Sequence, residues 1–302
     1  MPFGEHATDE RQRTAALNFP VATPLPTAAG WAARLELVLA RRGERTALVR
    51  NRNLGPLRVQ RPFYPGRGEC HLYVLHPPGG LVAGDRLDLD IRCEAGTKTL
   101  FTTPGAGRAY RGGSAARPQV QALNLHIAAG ARGEWLPQEN LLFDGAWARS
   151  DVHVTLEPGA RYTGWDIACL GRPAAEEAFC RGQFEQTLWL WRGERPLLGE
   201  RLCIEGGDAL LDAPWGLGGC PAFGTLVTTT AEAAALELAR ELIDRHAEAG
   251  LLAAATALPE LLVVRARARC ATRLCGLFVA LWRELRALED GCAPAVPRIW
   301  AT

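Results

Sequence analysis

Strict alternation between apolar and charged residues is the feature that most limits what this chain can fold into. In one stretch the two kinds take turns at every position: Leu87, Asp88, Leu89, Asp90, Ile91 and Arg92. Because successive side chains of a β-strand point to opposite faces, the pattern predicts a half-buried strand. A Glu94-Ala-Gly turn and a β-branched run over 97–103 follow, so this region predicts a hairpin or meander.

Similar short runs recur from Gly30 to about Leu226, between turn signals rich in Gly and Pro. We predict further strands over 31–39, 46–49, 57–59, 69–76, 119–127, 152–156, 184–191 and 201–204. Many short strands at roughly 8–12-residue spacing indicate a sandwich, a barrel or a stacked β-solenoid. No fixed-length repeat chooses among these three.

After Leu226 the pattern changes to that of helices. Thr230 is a suitable N-cap for a first helix over 231–248, which is rich in Ala, Leu and Glu. A second helix is predicted by apolar residues at 4-3-4-3 spacing: Leu274, Phe278, Leu281, Leu285 and Leu288. We interpret this stripe as a face packed on the protein's own sheet, with a partner-binding helix as the alternative.

Composition limits the kinds of partner. The 302 residues carry a formal net charge of +1, with 48% hydrophobic and 22% charged residues. Such a balance favours neither nucleic acid nor a membrane surface as a partner. The nine Cys are irregularly spaced and no signal-peptide pattern is present, so we expect a cytoplasmic protein with reduced thiols.

The search for chemistry-bearing motifs finds no catalytic pattern. Gly112-Gly-Ser114-Ala-Ala lacks the final Gly of a nucleophile elbow, and Gly96-Thr-Lys98-Thr lacks the Gly that precedes Lys in a phosphate loop. Carboxylates are more suggestive, above all Glu139, which stands with Gln138 and Asn140 inside the otherwise apolar run 136–143. If that run is buried, its polar groups need partners, water or an ion.

Six ordered segments resemble one known family, the urease accessory protein UreD, also called UreH. They are GPLRVQRPFYP (55–65), HPPGGLVAGD (76–85), TTPGAGRAYR (102–111), WLPQENLLFDGA (135–146), WD followed by LGRPAAEEAF (165–179) and PRIWAT (297–302). The resemblance covers the chain from about residue 30 to its C-terminus. Three positions depart from the usual family pattern: Ala83 and Glu176 stand where Gly is frequent, and Arg108 where Lys is frequent.

The resemblance implies a mainly β fold of layered, β-helix-like stacked sheets with two helices late in the chain. It implies a loose tail over 1–29 and a single domain over 30–302, which is β-rich over 30–229 and helix-containing over 230–302. It also implies a non-catalytic scaffold that docks on apo-urease with UreF and the GTPase UreG, in a complex made dimeric through UreF. The complex would help deliver nickel to the urease active site through an internal hydrated tunnel.

We therefore expect no permanently bound cofactor, only transient Ni²⁺. The residues expected on its path are four carboxylates in or beside the matching motifs: Asp85, Glu139, Asp144 and Glu177. An alternative for each is a purely structural role in turns and interfaces. The alternative function is a hydrolase on a β-solenoid, with Asp85 and Glu139 as its acid/base pair.

Overall fold

The computed structural model describes residues 30–66 and 68–301, so the predicted loose tail over 1–29 lies outside the described residues. Two helices are present, α1 (Ala233–Arg245) and α2 (Ala271–Asp290). The strands are β1 (Ala32–Arg42), β2 (Arg45–Leu54), β3 (Arg58–Val59), β4 (Cys70–Leu75), β5 (Arg86–Cys93), β6 (Lys98–Thr102), β7 (Gly107–Ala109), β8 (Gln119–Ile127), β9 (Arg132–Trp135), β10 (Asn140–Leu142), β11 (Trp147–Leu156), β12 (Arg161–Leu170), β13 (Gln183–Arg192), β14 (Arg195–Glu205), β15 (Ala222–Thr228), β16 (Leu251–Leu258) and β17 (Leu261–Ala268).

The strands form two facing sheets. The front sheet has the order β14-β13-β11-β8-β5-β1-β2, and the back sheet has the order β16-β17-β15-β12-β9-β6-β4-β3, with β10 attached to β12 and β7 attached to β10. From β4 to β13 the chain passes alternately through the back and the front sheet. Successive strands of each sheet pair in parallel, as β5 with β8 and β6 with β9. The chain therefore winds as a coil, which confirms the predicted layered, β-helix-like arrangement.

Alternation decides which side chains enter the space between the sheets. Leu89 and Leu123 of the front sheet meet Leu72, Phe101 and Trp135 of the back sheet in one buried cluster. The charged residues that alternate with them, such as Asp90, lie on the outer face of the front sheet and pair with one another across strands: Arg34 Nη2 lies 2.9 Å from Asp90 Oδ2. The predicted strand around 87–92 is thus confirmed, with parallel neighbours on both sides. The predicted hairpin or meander is wrong, because the strand that follows, β6, crosses to the back sheet and pairs there with β4 and β9.

The two helices cover the outer face of the back sheet. Leu274, Phe278 and Leu281 of α2 are fully buried against Ile167 and Leu226 of that sheet. The predicted stripe on the protein's own sheet is therefore confirmed, except for Leu288, which is 43% exposed. Leu288 lies one turn from the end of the helix, where the apolar surface of the sheet no longer reaches it.

One prediction near the helices is wrong, and one pair of strands there is not predicted by the sequence. The first helix begins at Ala233 with Glu232 at the N-cap, while the Thr230 hydroxyl donates to the Glu289 carboxylate at the end of α2. The Thr230 hydroxyl therefore makes a tertiary hydrogen bond and does not cap α1. The hairpin β16–β17 precedes the second helix, and the sequence analysis does not predict it.

A buried ionic network fixes the C-terminal end of α2 to the back sheet. Arg286, only 4% exposed, donates to Glu134 Oε1 and Glu69 Oε1, each at 2.6 Å. Arg132 of β9 donates to Asp290 of α2 at 2.6 Å. Since a buried charge is costly without a partner, these ion pairs define one position of α2 on the sheet.

Candidate functional site

The interior between the two sheets is not filled along its whole length. A large cavity of about 730 Å³ lies between β13–β14 of the front sheet and β15–β17 of the back sheet. A small cavity of about 380 Å³ lies on the other side of the coil, next to β4, β5 and β7. Both are partly open to solvent, so the coil has two mouths.

A small polar space, here called the neck, lies where the two cavities come closest. It has a volume of about 10 Å³, and most of its lining residues also line one or both cavities, among them Trp135, Asn140, Ser150 and Asp166. Trp135, at the end of β9, borders all three spaces. A volume of roughly 10–15 Å³ holds about one water molecule, so the neck has room for a single water between the two cavities.

Two acidic residues line this neck, Asp151 and Asp166. The Asp151 carboxylate accepts from Arg149 and Thr187, whereas that of Asp166 bonds to other residues of the neck. The alternation of β12 directs Trp165 toward α2, where it packs on Phe278, and directs Asp166 toward the front sheet. The Ser150 hydroxyl donates to Asp166 Oδ2 at 2.9 Å, and the Asn140 amide donates to Oδ1 at 3.4 Å. Burial raises the pKa of Asp166, and these hydrogen bonds oppose that rise.

Two of the matching motif segments build the mouth of the small cavity. The Leu81 N–H donates to the Arg108 carbonyl at 2.7 Å, and the Tyr110 N–H donates to the Leu81 carbonyl at 2.9 Å, so the two segments run side by side. A Cβ atom on Gly107 would lie 2.3 Å from the Asn140 side-chain oxygen. Glycine at this position therefore allows β7 and β10 to approach closely enough for Asn140 to reach the neck.

The four predicted carboxylates lie elsewhere. None of them lines the large cavity, the small cavity or the neck. Asp85 is 6% exposed and accepts hydrogen bonds from the Trp31 N–H at 2.8 Å and the Val82 N–H at 2.9 Å. It thus closes the turn before β5 and ties the start of β1 to that turn.

Asp144 and Glu177 are brought together. The Asp144 N–H donates to Glu177 Oε1 at 2.8 Å, while Asp144 Oδ1 accepts from the Cys180 and Arg181 N–H groups, both at 2.9 Å. The Arg181 guanidinium lowers the pKa of Asp144, and Arg172 lowers the pKa of Glu177. Hydrogen-bond donors therefore occupy both carboxylates, an arrangement that suits a role in fixing this turn.

Glu139 contacts α2 and does not face the cavities. Its flanking residues Gln138 and Asn140 line the small cavity, whereas Glu139 lies on the opposite side of the segment against α2. The Cys275 thiol donates to Glu139 Oε2 across 3.7 Å, and burial together with this carboxylate raises the pKa of Cys275 to about 12. Asp85 and Glu139 thus have separate partners, which gives the hydrolase alternative no support.

No group of three or more His, Cys, Asp or Glu side chains within residues 30–66 and 68–301 is arranged to hold a metal ion. The nine cysteines are free thiols in the structure. Asp166 belongs to a matching motif segment but is not among the four carboxylates that the sequence analysis expects on the nickel path. The available signal is a single carboxylate in the middle of an apolar strand, between Trp165 and Ile167.

Comparison with known proteins identifies the family. Residues 32–301 match the family model described as UreD urease accessory protein. The urease accessory protein UreD of Pseudomonas entomophila (strain L48) is 45% identical over 273 residues, which is 90% of this chain and 95% of that protein. The UreD protein of Alkalilimnicola ehrlichii is 42% identical over 289 residues, 94% of this chain and 97% of that protein.

These matches identify the class as that of the urease accessory proteins, which are maturation factors that serve another enzyme. Within that class the chain belongs to the UreD family. In the part of the chain that the structure describes, neither helix is long and apolar enough to cross a lipid bilayer.

Proposed function

We propose that this protein helps to load urease with nickel by letting Ni²⁺ pass along the channel between its two sheets. It would act as a scaffold in a complex with UreF, the GTPase UreG and apo-urease, without turnover of its own. The observation that supports the proposal is that the two cavities and the neck at Asp166 share lining residues, with Trp135 bordering all three. The ion is cargo in this scheme and is released at the end of the path.

The chemistry of the neck suits a transported ion. Asp166, Ser150 and Asn140 offer carboxylate, hydroxyl and amide groups. Oxygen ligands with retained water hold Ni²⁺ more loosely than imidazole or thiolate ligands do, so the ion can leave again. The Asp166 carboxylate also supplies a negative charge where a partly dehydrated cation would otherwise lose most of its solvation.

Asp166→Asn tests the channel. The variant keeps the size of the side chain and removes its charge, so we expect normal assembly with UreF, UreG and apo-urease but lower nickel content and activity of the urease produced. Asp88→Asn is the matched control, because Asp88 lies on the outer face of the front sheet with Arg86, 2.8 Å away. Full nickel loading by Asp166→Asn would contradict the channel, and loss of assembly in proportion to activity would make Asp166 structural.

Glu139, Asp144, Asp85 and Glu177 remain proposed participants. Of these, Glu139 is the most informative, because the contact of its Oε2 with the Cys275 thiol is replaceable, whereas Asp85 and Asp144 each accept two backbone hydrogen bonds. If Glu139 lies on the path, Glu139→Ala should assemble normally and lower urease nickel content. If assembly and activity both survive unchanged, Glu139 has no role in nickel passage.

A further inference from the structure

The two sheets have four edges in the described chain, and three of them are protected against pairing with another strand. The edge strand β2 carries Arg45, Arg50 and Arg52, and the edge strand β14 carries Pro196 and charged residues. The edge strand β3 has only 2 residues. Charge, proline and shortness are the usual means by which proteins keep their sheet edges from associating.

The fourth edge, β16, has none of these protections. Its sequence is LLAAATAL over 8 residues, without a charge or a proline. One face of the strand, with Leu251, Ala253 and Ala255, packs against the helices. The other face is exposed, and Leu252 on it is 60% exposed. An uncharged edge strand of this length is a template for strand addition.

The alternation of hydrogen bonds between β16 and β17 shows which backbone groups of β16 face the open edge. The Arg269 N–H donates to the Gly250 carbonyl at 2.8 Å, and the antiparallel register with β17 pairs Leu252 with Arg267 and Ala254 with Arg265. Bonding alternates along an antiparallel pair, so the even-numbered residues bond to β17. The N–H and C=O groups of Ala253, Ala255 and Ala257 therefore point to the open edge.

The same strand is complementary to itself. In an antiparallel pair of two β16 strands related by a two-fold axis at Ala255, Ala253 of one copy lies opposite Ala257 of the other, with their outward groups in register. On the exposed face Leu252 then lies opposite Leu258, and Ala254 lies opposite Thr256. All these cross-strand pairs are small or apolar, and the contact removes the exposed surface of Leu252 from water.

We propose that β16 is a self-association surface, through which two copies of this chain join their back sheets into one continuous antiparallel sheet. The partner is a second copy of the chain, because one two-fold register meets two requirements. It aligns the outward N–H and C=O groups of the two strands, and it pairs their small and apolar side chains. Leu252 and Ala254 also line the large cavity, so the test measures association directly, without reference to nickel transport or to the contacts with UreF.

A charge-swap experiment tests this register in the full-length chain. In the double variant Ala254→Lys/Thr256→Lys, like charges face each other twice across the two-fold axis, so we expect the dimer dissociation constant to rise about tenfold. In the control Ala254→Lys/Thr256→Glu, each lysine faces a glutamate of the second copy, and we expect dimerisation to be restored. Both sites are exposed in the single chain, so folding should be unaffected, which circular dichroism checks.

Sedimentation over a range of protein concentrations gives the dissociation constants. Hydrogen exchange of the Ala253, Ala255 and Ala257 amides should slow as the dimer forms. A wild-type chain that stays monomeric at all concentrations would overturn the proposal. Equal dissociation constants for the two double variants would overturn it as well. Protection of these amides in the monomer would show that another segment of this chain covers the edge, and loss of UreF binding by both variants, with no dimer, would show that UreF does.

Discussion

At the scale of single residues, Asp144 shows how the fold can supply hydrogen-bond donors to both oxygens of a carboxylate in a matching motif. It is 7% exposed and accepts hydrogen bonds from two backbone N–H groups and from Arg181. Sequence analysis identifies it as important but leaves open whether it binds an ion or fixes a turn. The choice depends on the Cys180-Arg181 loop, which lies about 36 residues away and cannot be placed from local pattern.

We expect Asp144→Asn to lower the free energy of unfolding by about 1–3 kcal/mol, because an amide replaces a charged acceptor among buried donors. Urea denaturation at neutral pH measures the change. The control is Asp212→Asn at an exposed site, for which we expect a change of no more than about 0.5 kcal/mol. A stable Asp144→Asn variant that fails to support nickel loading would instead favour the predicted metal role of Asp144.

Two further residues mark the limits of sequence reading at this scale. Glu176, noted as standing where Gly is frequent, is the only non-glycine residue in the described chain with a positive φ, at 55°. Here the sequence indicates the strained position correctly, because turn geometry is local. The neck role of Asp166 could not be read in the same way, because Ser150, its partner, is contributed by the opposite sheet.

At the scale of elements, α2 is anchored by its apolar face. Leu281 is fully buried, whereas Leu288 on the same predicted stripe is 43% exposed. We expect Leu281→Ala to lower the free energy of unfolding by about 2–5 kcal/mol, since it leaves a cavity in the core. Leu288→Ala is the matched control and should cost well under about 1 kcal/mol. Unchanged stability of Leu281→Ala combined with lost UreF binding would assign the stripe to a partner.

The hairpin β16–β17 is the element that sequence analysis misses entirely. Alanine and leucine have high helix propensity, and LLAAATAL gives no clear alternation of polar and apolar residues. Pairing with β17, whose Val263 and Val264 are β-branched and buried, overrides that local preference. Long amphipathic elements such as β5 and α2 were predictable because their own sequence shows which face is buried.

At the scale of the whole molecule, the ionic network links the helical layer to the back sheet and should make the fold sensitive to acid. Burial alone would raise the pKa of Glu69, but hydrogen bonds from His71 and Arg286 outweigh burial and lower the pKa to about 2. Glu69 therefore contributes its full stability above the unfolded-state pKa of about 4.5. That contribution is lost as pH falls through the folded-state pKa.

We expect the free energy of unfolding to fall by about 3 kcal/mol between pH 5 and pH 2 from Glu69 alone. Urea denaturation curves at pH 7, 5, 4, 3 and 2 give the profile. Glu69→Gln should be less stable at pH 7 and show a shallower fall with acid, because the variant cannot gain a proton at this site. A variant whose stability falls as steeply as that of the wild type would show that other carboxylates dominate.

The coiled path of the chain has a consequence for how the channel comes into existence during synthesis. The coil adds its strands in nearly the same order as they leave the ribosome, from β4 and β5 beside the small cavity to β13 and β15 beside the large one. The mouth built by the motif segments can therefore form while the opposite end is still being translated. The large cavity acquires its last wall only when β16 and β17 emerge, so a ribosome that stalls before them leaves a channel open along one side.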